Sequence, residues 1–326
     1  MSHFLIINTG GTIGMTQGEN GLEPKAGELE RALNSNHPDL AEWQQHSISW
    51  KHWQPLLDSS ELQPENWFQI RKDILEAPEE IDGFLVIHGT DTLAFSAAAL
   101  SYLMSGFDKP IVMTGAMLPV SAEGTDATAN LKLALKALTE QRNEVVVAVG
   151  PQTLPGSRVT KTSTSSFSAF SSPNWHESSW QQPSSQQPLS FSKPWKKHSI
   201  AVITLFPGLS IEPLMTPDSW HHRAILINAL GNGNAASTTE FLRFLKTAKE
   251  KNIPVFVRSQ CLDGEVDFSL YAAGSLFKDC GAISCGTMTF ESAITKIQLL
   301  CSEFETAEEI VTAFQQPLAR EWQKEV

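Results

Sequence analysis

Short, unbroken apolar runs, each ending in small or polar residues, constrain this chain more than any other feature. They occupy residues 4–7, 84–87, 111–113 and 145–149, and again 200–203, 224–227 and 255–257. A strand with one wet face alternates apolar and polar residues, so a strand that is apolar throughout must be covered on both faces. Between the runs lie stretches with helical spacing, residues 94–104, 127–138, 239–251 and 291–300, read as amphipathic helices. Strands alternating with helices predict an α/β architecture built on parallel sheets. In such sheets ligands bind at the carboxyl ends of the strands, which says where to look for chemistry.

With 326 residues the chain is long enough for two domains. The best boundary is compositional: between residues 163 and 192, twelve of thirty residues are serine and none is lysine or arginine. A Ser/Gln/Pro stretch buries too little apolar surface to fold alone, although Phe167, Phe170, Trp175 and Trp180 are placed to dock parts of it. The expected division is an N-terminal domain over residues 1–170, a linker over 171–198 and a smaller C-terminal domain over 199–326. The balance of 24 basic against 36 acidic side chains gives a formal charge of −12, which disfavours nucleic acid and anionic membrane as partners. The run at residues 4–7 is too short for a secretory signal, and no stretch nears the ~18 apolar residues of a membrane-spanning helix. Cys261, Cys280, Cys285 and Cys301 form no CxxC pair and no histidine follows His222, which argues against zinc and a disulfide framework and for a reducing cytoplasm.

Two loops carry the candidate chemistry. The first apolar run leads into Asn8-Thr9-Gly10-Gly11-Thr12-Ile13-Gly14, where glycines admit close approach of backbone N–H groups and Thr12 is a nucleophile candidate. Alone, such a turn is commonly no more than a strand-to-helix connection. The run at 84–87 leads into His88-Gly89-Thr90-Asp91-Thr92, in which Asp91 is equally able to cap the following helix. Hydroxyls and a carboxylate converging at two strand ends are the parts of a covalent acyl-transfer site. A threonine hydroxyl needs a base, and Lys161 would serve if burial lowered its pKa. His88 is expected to hydrogen-bond at the sheet edge rather than act as a base.

Taken in order, Thr9-Gly10-Gly11-Thr12-Ile13, Asp58-Ser59-Ser60, His88-Gly89-Thr90-Asp91-Thr92, Thr114-Gly115-Ala116-Met117, Thr160-Lys161, Ser259-Gln260-Cys261 and Tyr271-Ala272-Ala273-Gly274 resemble the asparaginase/glutaminase family, most closely its cytoplasmic type I branch. The resemblance implies a two-domain asparaginase-like fold with a larger N-terminal mixed or parallel sheet and a smaller C-terminal parallel one. It implies hydrolysis of L-asparagine to L-aspartate and ammonia, with glutamine a minor substrate and no metal or organic cofactor. Thr12 would form the acyl-enzyme, with Thr90, Asp91 and Lys161 activating the reacting groups. Asp58, Ser59 and Ser60 would hold the amino-acid head group, with Gly11 and Gly89 lining the substrate. Backbone N–H groups near Thr90 and Ala116 would hold the oxyanion. Homodimers or homotetramers are expected, with the C-terminal domain closing a neighbour's site.

The chain departs from the family at two places. Leu22, within Gly21-Leu22-Glu23-Pro24-Lys25-Ala26-Gly27, stands where the family carries a loop tyrosine, and the chain's two tyrosines, Tyr102 and Tyr271, are far away in sequence. A shifted correspondence, a substitute hydroxyl such as Thr16, and a feeble or different activity remain open, with a real substitution favoured by the fit of the short loop. Asn228 stands where type I enzymes often carry an arginine linked to effector binding, so control by asparagine is not expected. Two other functions compete: an amino-acid-binding homologue with little turnover, and an NADP-binding oxidoreductase. The latter would use Gly231-Asn232-Gly233-Asn234-Ala235-Ala236 as a phosphate turn and Arg258 on the 2′-phosphate.

Overall fold

The computed structural model describes residues 1–18, 21–25, 27–35, 37–181, 188–269 and 272–322. Ala26, Tyr271 and linker residues 182–187 therefore lie outside the described residues. The chain divides into two compact units, one containing Met1–Ser172 and the other Ser190–Val326, with residues 173–181 belonging to the second.

In the first unit the strands are β1 (His3–Gly10), β2 (Met15–Gly18), β3 (Gly21–Pro24), β4 (Ser47–Leu57), β5 (Gly83–Ile87), β6 (Ile111–Thr114), β7 (Val145–Val149), β8 (Gln152–Pro155), β9 (Thr160–Lys161) and β10 (Phe170–Ser171). The helices are α1 (Glu28–Leu33), α2 (Pro64–Leu75), α3 (Leu93–Leu103) and α4 (Ala127–Thr139). Six strands make one sheet in the order β4-β1-β5-β6-β7-β8. All neighbours are parallel except β7 and β8, so the sheet is mixed. Alternate residues of the inner strands face opposite ways, yet Ile6, Ile7, Leu85, Val86, Val112 and Met113 are all buried, as unbroken apolar strands require. Helix α3 differs from its expected amphipathic character: every residue but Phe95 is buried, because its small Ala and Ser side chains let it pack on several sides.

The second unit carries β11 (Ile200–Thr204), β12 (Ala224–Ala229), β13 (Val255–Ser259) and β14 (Ile283–Ser284), hydrogen-bonded in that order and all parallel. Helices α5 (Thr239–Glu250), α6 (Ala272–Asp279), α7 (Phe290–Glu303) and α8 (Ala307–Phe314) complete it. Thr238, Thr289 and Thr306 cap α5, α7 and α8 by accepting a backbone N–H three residues on, which ends each preceding loop sharply.

The serine-rich stretch is pinned at several points. Phe170 is buried in the first unit's core, whereas Phe167 is exposed, contrary to its expected docking role. In the second unit, Trp175 and Trp180 pack edge to face at 5.0 Å, and Asn174 bonds the backbone of Leu262 and Gly264. Glu303 on α7 accepts the N–H groups of Ser192 and Lys193 and the Ser192 hydroxyl.

Candidate active site

In the six-stranded sheet the chain leaves β1 towards β4 on one side, and leaves β5 towards β6 on the other. That divergence opens a crevice between the carboxyl ends of β1 and β5, the position at which open α/β sheets bind ligands. Thr12 follows β1 and Thr90 follows β5. On either side lie Asp58-Ser59-Ser60, directly after β4, and Gly115-Ala116-Met117, directly after β6. All the predicted site residues except Lys161 thus come from four neighbouring strand ends.

Glycines let these loops touch backbone to backbone. A methyl group on Gly11 would stand 2.6 Å from Gly89 Cα, and Gly11 has φ +96°, which L side chains rarely adopt. A methyl on Gly89 would meet Ser59 Oγ at 2.5 Å, and one on Gly115 would meet the His88 carbonyl at 2.3 Å. Hydrogen bonds complete the stitching: the Thr9 hydroxyl donates to the Ile87 carbonyl at 2.8 Å, Thr92 to the Ser59 carbonyl at 2.7 Å, and the Val120 N–H to the Ile13 carbonyl at 3.0 Å.

Lys161 enters from β9, whose pairing with β10 sets Lys161 opposite Phe170. Its Nζ donates to Thr90 Oγ1 at 2.9 Å and to Asp91 Oδ1 at 2.8 Å. The ammonium stem is largely covered, with 16% of the side chain exposed, while the Asp91 side chain is 68% exposed. Thr90 Oγ1 in turn directs its hydrogen at the Met117 sulfur, 3.7 Å away. Thr12 begins a single 3₁₀ turn, Thr12–Gly14, and its hydroxyl has no hydrogen bond among the described residues. A hydroxyl free to reorient beside a lysine-bound threonine is suited to attack on a bound carbonyl.

The Asp58 carboxylate accepts both the Ser60 N–H and the Ser60 hydroxyl on Oδ1, each at 2.8 Å. These bonds favour the charged form and hold the Asp58 pKa below its ordinary value, against a smaller opposing effect of burial. The result is a fixed negative charge one strand from Thr12, fit for an ammonium group.

Sequence reasoning missed a supporting layer. Asp126, at the start of α4, accepts the N–H groups of Met117 and Leu118, and Asn130 one turn later bonds the Gly115 carbonyl at 2.9 Å. A polar residue on the otherwise apolar buried stripe of an amphipathic helix was the available signal for Asn130. His88 is fully buried and neutral, its pKa lowered to about 4 by burial. It donates from Nδ1 to the Gly89 carbonyl and accepts at Nε2 from Ser96, as expected of a structural rather than basic histidine.

The hairpin of β2 and β3 pairs Gln17 with Leu22 and Thr16 with Glu23. Because side chains alternate across a strand, Thr16 and Leu22 lie on opposite faces of the hairpin, so Thr16 does not stand in for a side chain at position 22. Leu22 itself is 44% exposed. In the second unit the glycines at 231 and 233 close a tight turn, Leu230 to Asn234, with Gly233 packed against Val266. Arg258 is buried and donates to Asn228 Oδ1 at 3.1 Å, which leaves it poorly placed for a phosphate. Among the described residues no cluster of three His, Cys, Asp or Glu is placed to hold a metal, and no helix is long and apolar enough to cross a membrane.

Comparison with known proteins gives a consistent family. The description "Asparaginase, N-terminal" matches residues 3–185 and "Glutaminase/Asparaginase C-terminal domain" matches residues 199–314. The chain is 32% identical to L-asparaginase 1 of Escherichia coli K12, over 97% of this chain and 96% of that protein. It is 30% identical to the L-asparaginase of Thermococcus kodakarensis, over 97% and 98% respectively. The solved structure of L-asparaginase I from Vibrio cholerae superposes with a TM-score of 0.88 at 34% identity, covering 99% of both chains.

Proposed function

The chain belongs to the asparaginase family, and from that premise we propose that it hydrolyses L-asparagine to L-aspartate and ammonia through an acyl-enzyme on Thr12. The observation that carries this reading is the lysine-bound threonine: Lys161 Nζ within 2.9 Å of Thr90 Oγ1 and 2.8 Å of Asp91 Oδ1, in loops that abut the Thr12 turn.

The Thr12 oxygen attacks the side-chain amide carbon and its proton passes to the departing nitrogen, so the C–N bond breaks and ammonia leaves. Water then adds to the Thr12 ester, aspartate is released and the hydroxyl is restored. Thr90, Asp91 and Lys161 carry and orient the protons of both steps, and the Thr90 and Ala116 N–H groups hold the oxyanion, each such donor supplying about 10² to 10³ in rate. Asp58 pairs with the α-ammonium, and Ser59 and Ser60 with the α-carboxylate, while Gly11 and Gly89 make room for the backbone of the substrate. Glutamine is a weaker substrate, since one methylene of pocket length discriminates by about 1 to 3 kcal/mol. We place the enzyme in the cytoplasm, where its four free cysteines stay reduced, as a homodimer or homotetramer.

Ammonia release from L-asparagine by the purified protein, run beside Thr12→Ala, tests the reading. Release that disappears in Thr12→Ala supports it. Tight asparagine binding without release would instead favour an amino-acid-binding homologue.

A further inference from the structure

Behind the two strand ends, His88 and Asn130 do the same job on two different peptides. The His88 Nδ1–H holds the Gly89 carbonyl at 2.7 Å. The Asn130 Nδ2–H holds the Gly115 carbonyl at 2.9 Å. A trans peptide is planar, with its C=O and N–H pointing in opposite directions. Fixing the Gly89 carbonyl therefore fixes the Thr90 N–H, and fixing the Gly115 carbonyl fixes the Ala116 N–H. Thr90 and Ala116 are both buried, and neither N–H has an acceptor among the described residues. Buried backbone donors left without a partner are rare, so two of them on abutting strand-end loops, where a methyl on Gly115 would lie 3.4 Å from the Thr90 side chain, call for an acceptor that arrives there.

Each holding residue is itself held. Ser96 Oγ lies 2.9 Å from His88 Nε2 and accepts the Trp67 indole N–H at 3.1 Å, so its own hydrogen goes to His88 and the histidine carries its proton on Nδ1. Asn130 accepts the Gly150 N–H on Oδ1 at 2.9 Å and gives its other amide hydrogen to Asp126 at 3.1 Å, which leaves one orientation of the amide that satisfies every partner.

We propose that His88 and Asn130 are positioning residues that grip the two glycine carbonyls from behind and so aim the Thr90 and Ala116 N–H groups at the oxyanion. The inference rests on the asparaginase reading above and adds to it the devices that make the oxyanion donors rigid before substrate binds. Fixed dipoles need no reorganisation when charge develops, which is where such donors have most of their effect.

Steady-state ammonia release from L-asparagine, with kcat normalised to the folded fraction from circular dichroism, provides the test. His88→Leu is expected to lower kcat by about 10² to 10³ with KM within about threefold, the loss typical of one oxyanion donor. His88→Asn, whose amide nitrogen can stand where Nδ1 stands, is expected to recover kcat to within about tenfold of wild type. Asn130→Asp, which keeps the acceptor for Gly150 but loses the donor to Gly115, is expected to lower kcat in the same way. Nitrogen-15 spectra of the wild-type protein should show His88 as the Nδ1–H tautomer, which decides the matter should His88→Leu fail to fold. An active wild type with parental kcat in His88→Leu and Asn130→Asp, or an Nε2–H tautomer, would overturn this inference alone. An inactive wild type would overturn the function itself, and this inference with it.

Discussion

In the first unit Lys161 meets Asp91 with the aspartate side chain 68% exposed, while in the second Lys296 meets Glu321 with both side chains fully buried. The buried lysine spends its donors on Glu321 and on the carbonyls of Phe314 and Gln316, with the rings of Phe314 and Trp322 beside it. Glu321 accepts the N–H groups of Leu318 and Ala319 as well. Burial lowers the Lys296 pKa, with Glu321 pulling the other way. Here the pair closes the segment after α8, and every polar atom has a fixed protein partner. At Lys161 the pair is left open on the carboxylate side, where exposed ion pairs contribute about 0.2 to 1 kcal/mol to stability. The other bond of this lysine goes to Thr90 Oγ1, which is where the proposed chemistry would use it.

Substitutions can break that contrast. Lys161→Met should lower turnover by up to about 10⁴-fold, about 5.5 kcal/mol on the barrier, while the thermal midpoint stays near that of the parent. Lys296→Met should do the reverse, costing about 3 to 5 kcal/mol in denaturant unfolding by stranding Glu321, with kcat per folded molecule retained. A large stability loss in Lys161→Met, or a selective kcat loss in Lys296→Met, would erase the distinction. His88 sharpens it with pH. The unfolded state takes up a proton on this histidine below about pH 6.5, whereas the folded state, with a pKa of about 4, does not until lower pH. In that window the unfolded chain binds more protons, so acid destabilises the fold, by about 3 kcal/mol in all from this group. Stability measured from pH 7 to 4 should fall less steeply in His88→Asn than in wild type. Smallest is Leu22→Tyr, expected to raise turnover about tenfold if a loop hydroxyl limits the rate. An unchanged and already fast kcat would mean that another group has taken the role.

The interior strands were legible because continuous apolar runs allow little else. Strand β4 was not: its sequence, SISWKHWQPLL, belongs to the sheet edge, where one flank needs no partner and polar residues are tolerated. The candidate site's hydroxyls and carboxylates stood out as loops of unusual composition at strand ends. Ser96, Trp67 and Asp126 gave no such sign: Ser96 and Trp67 reach His88 through a chain of side-chain hydrogen bonds, Asp126 holds the backbone of Met117 and Leu118, and all three are residue types common in helices and loops. The pairing of Thr16 with Glu23 was equally invisible, since register is decided by the whole hairpin rather than by either residue.

The close approach of the strand-end loops has a consequence for how this protein would tolerate variation. Gly10 would place a methyl 2.2 Å from the Leu57 carbonyl, and Gly115 would place one 2.3 Å from that of His88. In a saturation-mutagenesis map both positions would be as intolerant as Thr12, although neither supplies a reactive atom. Intolerance at these glycines records the spacing between neighbouring backbones, and reading it as chemistry would draw the boundary of the active site too wide.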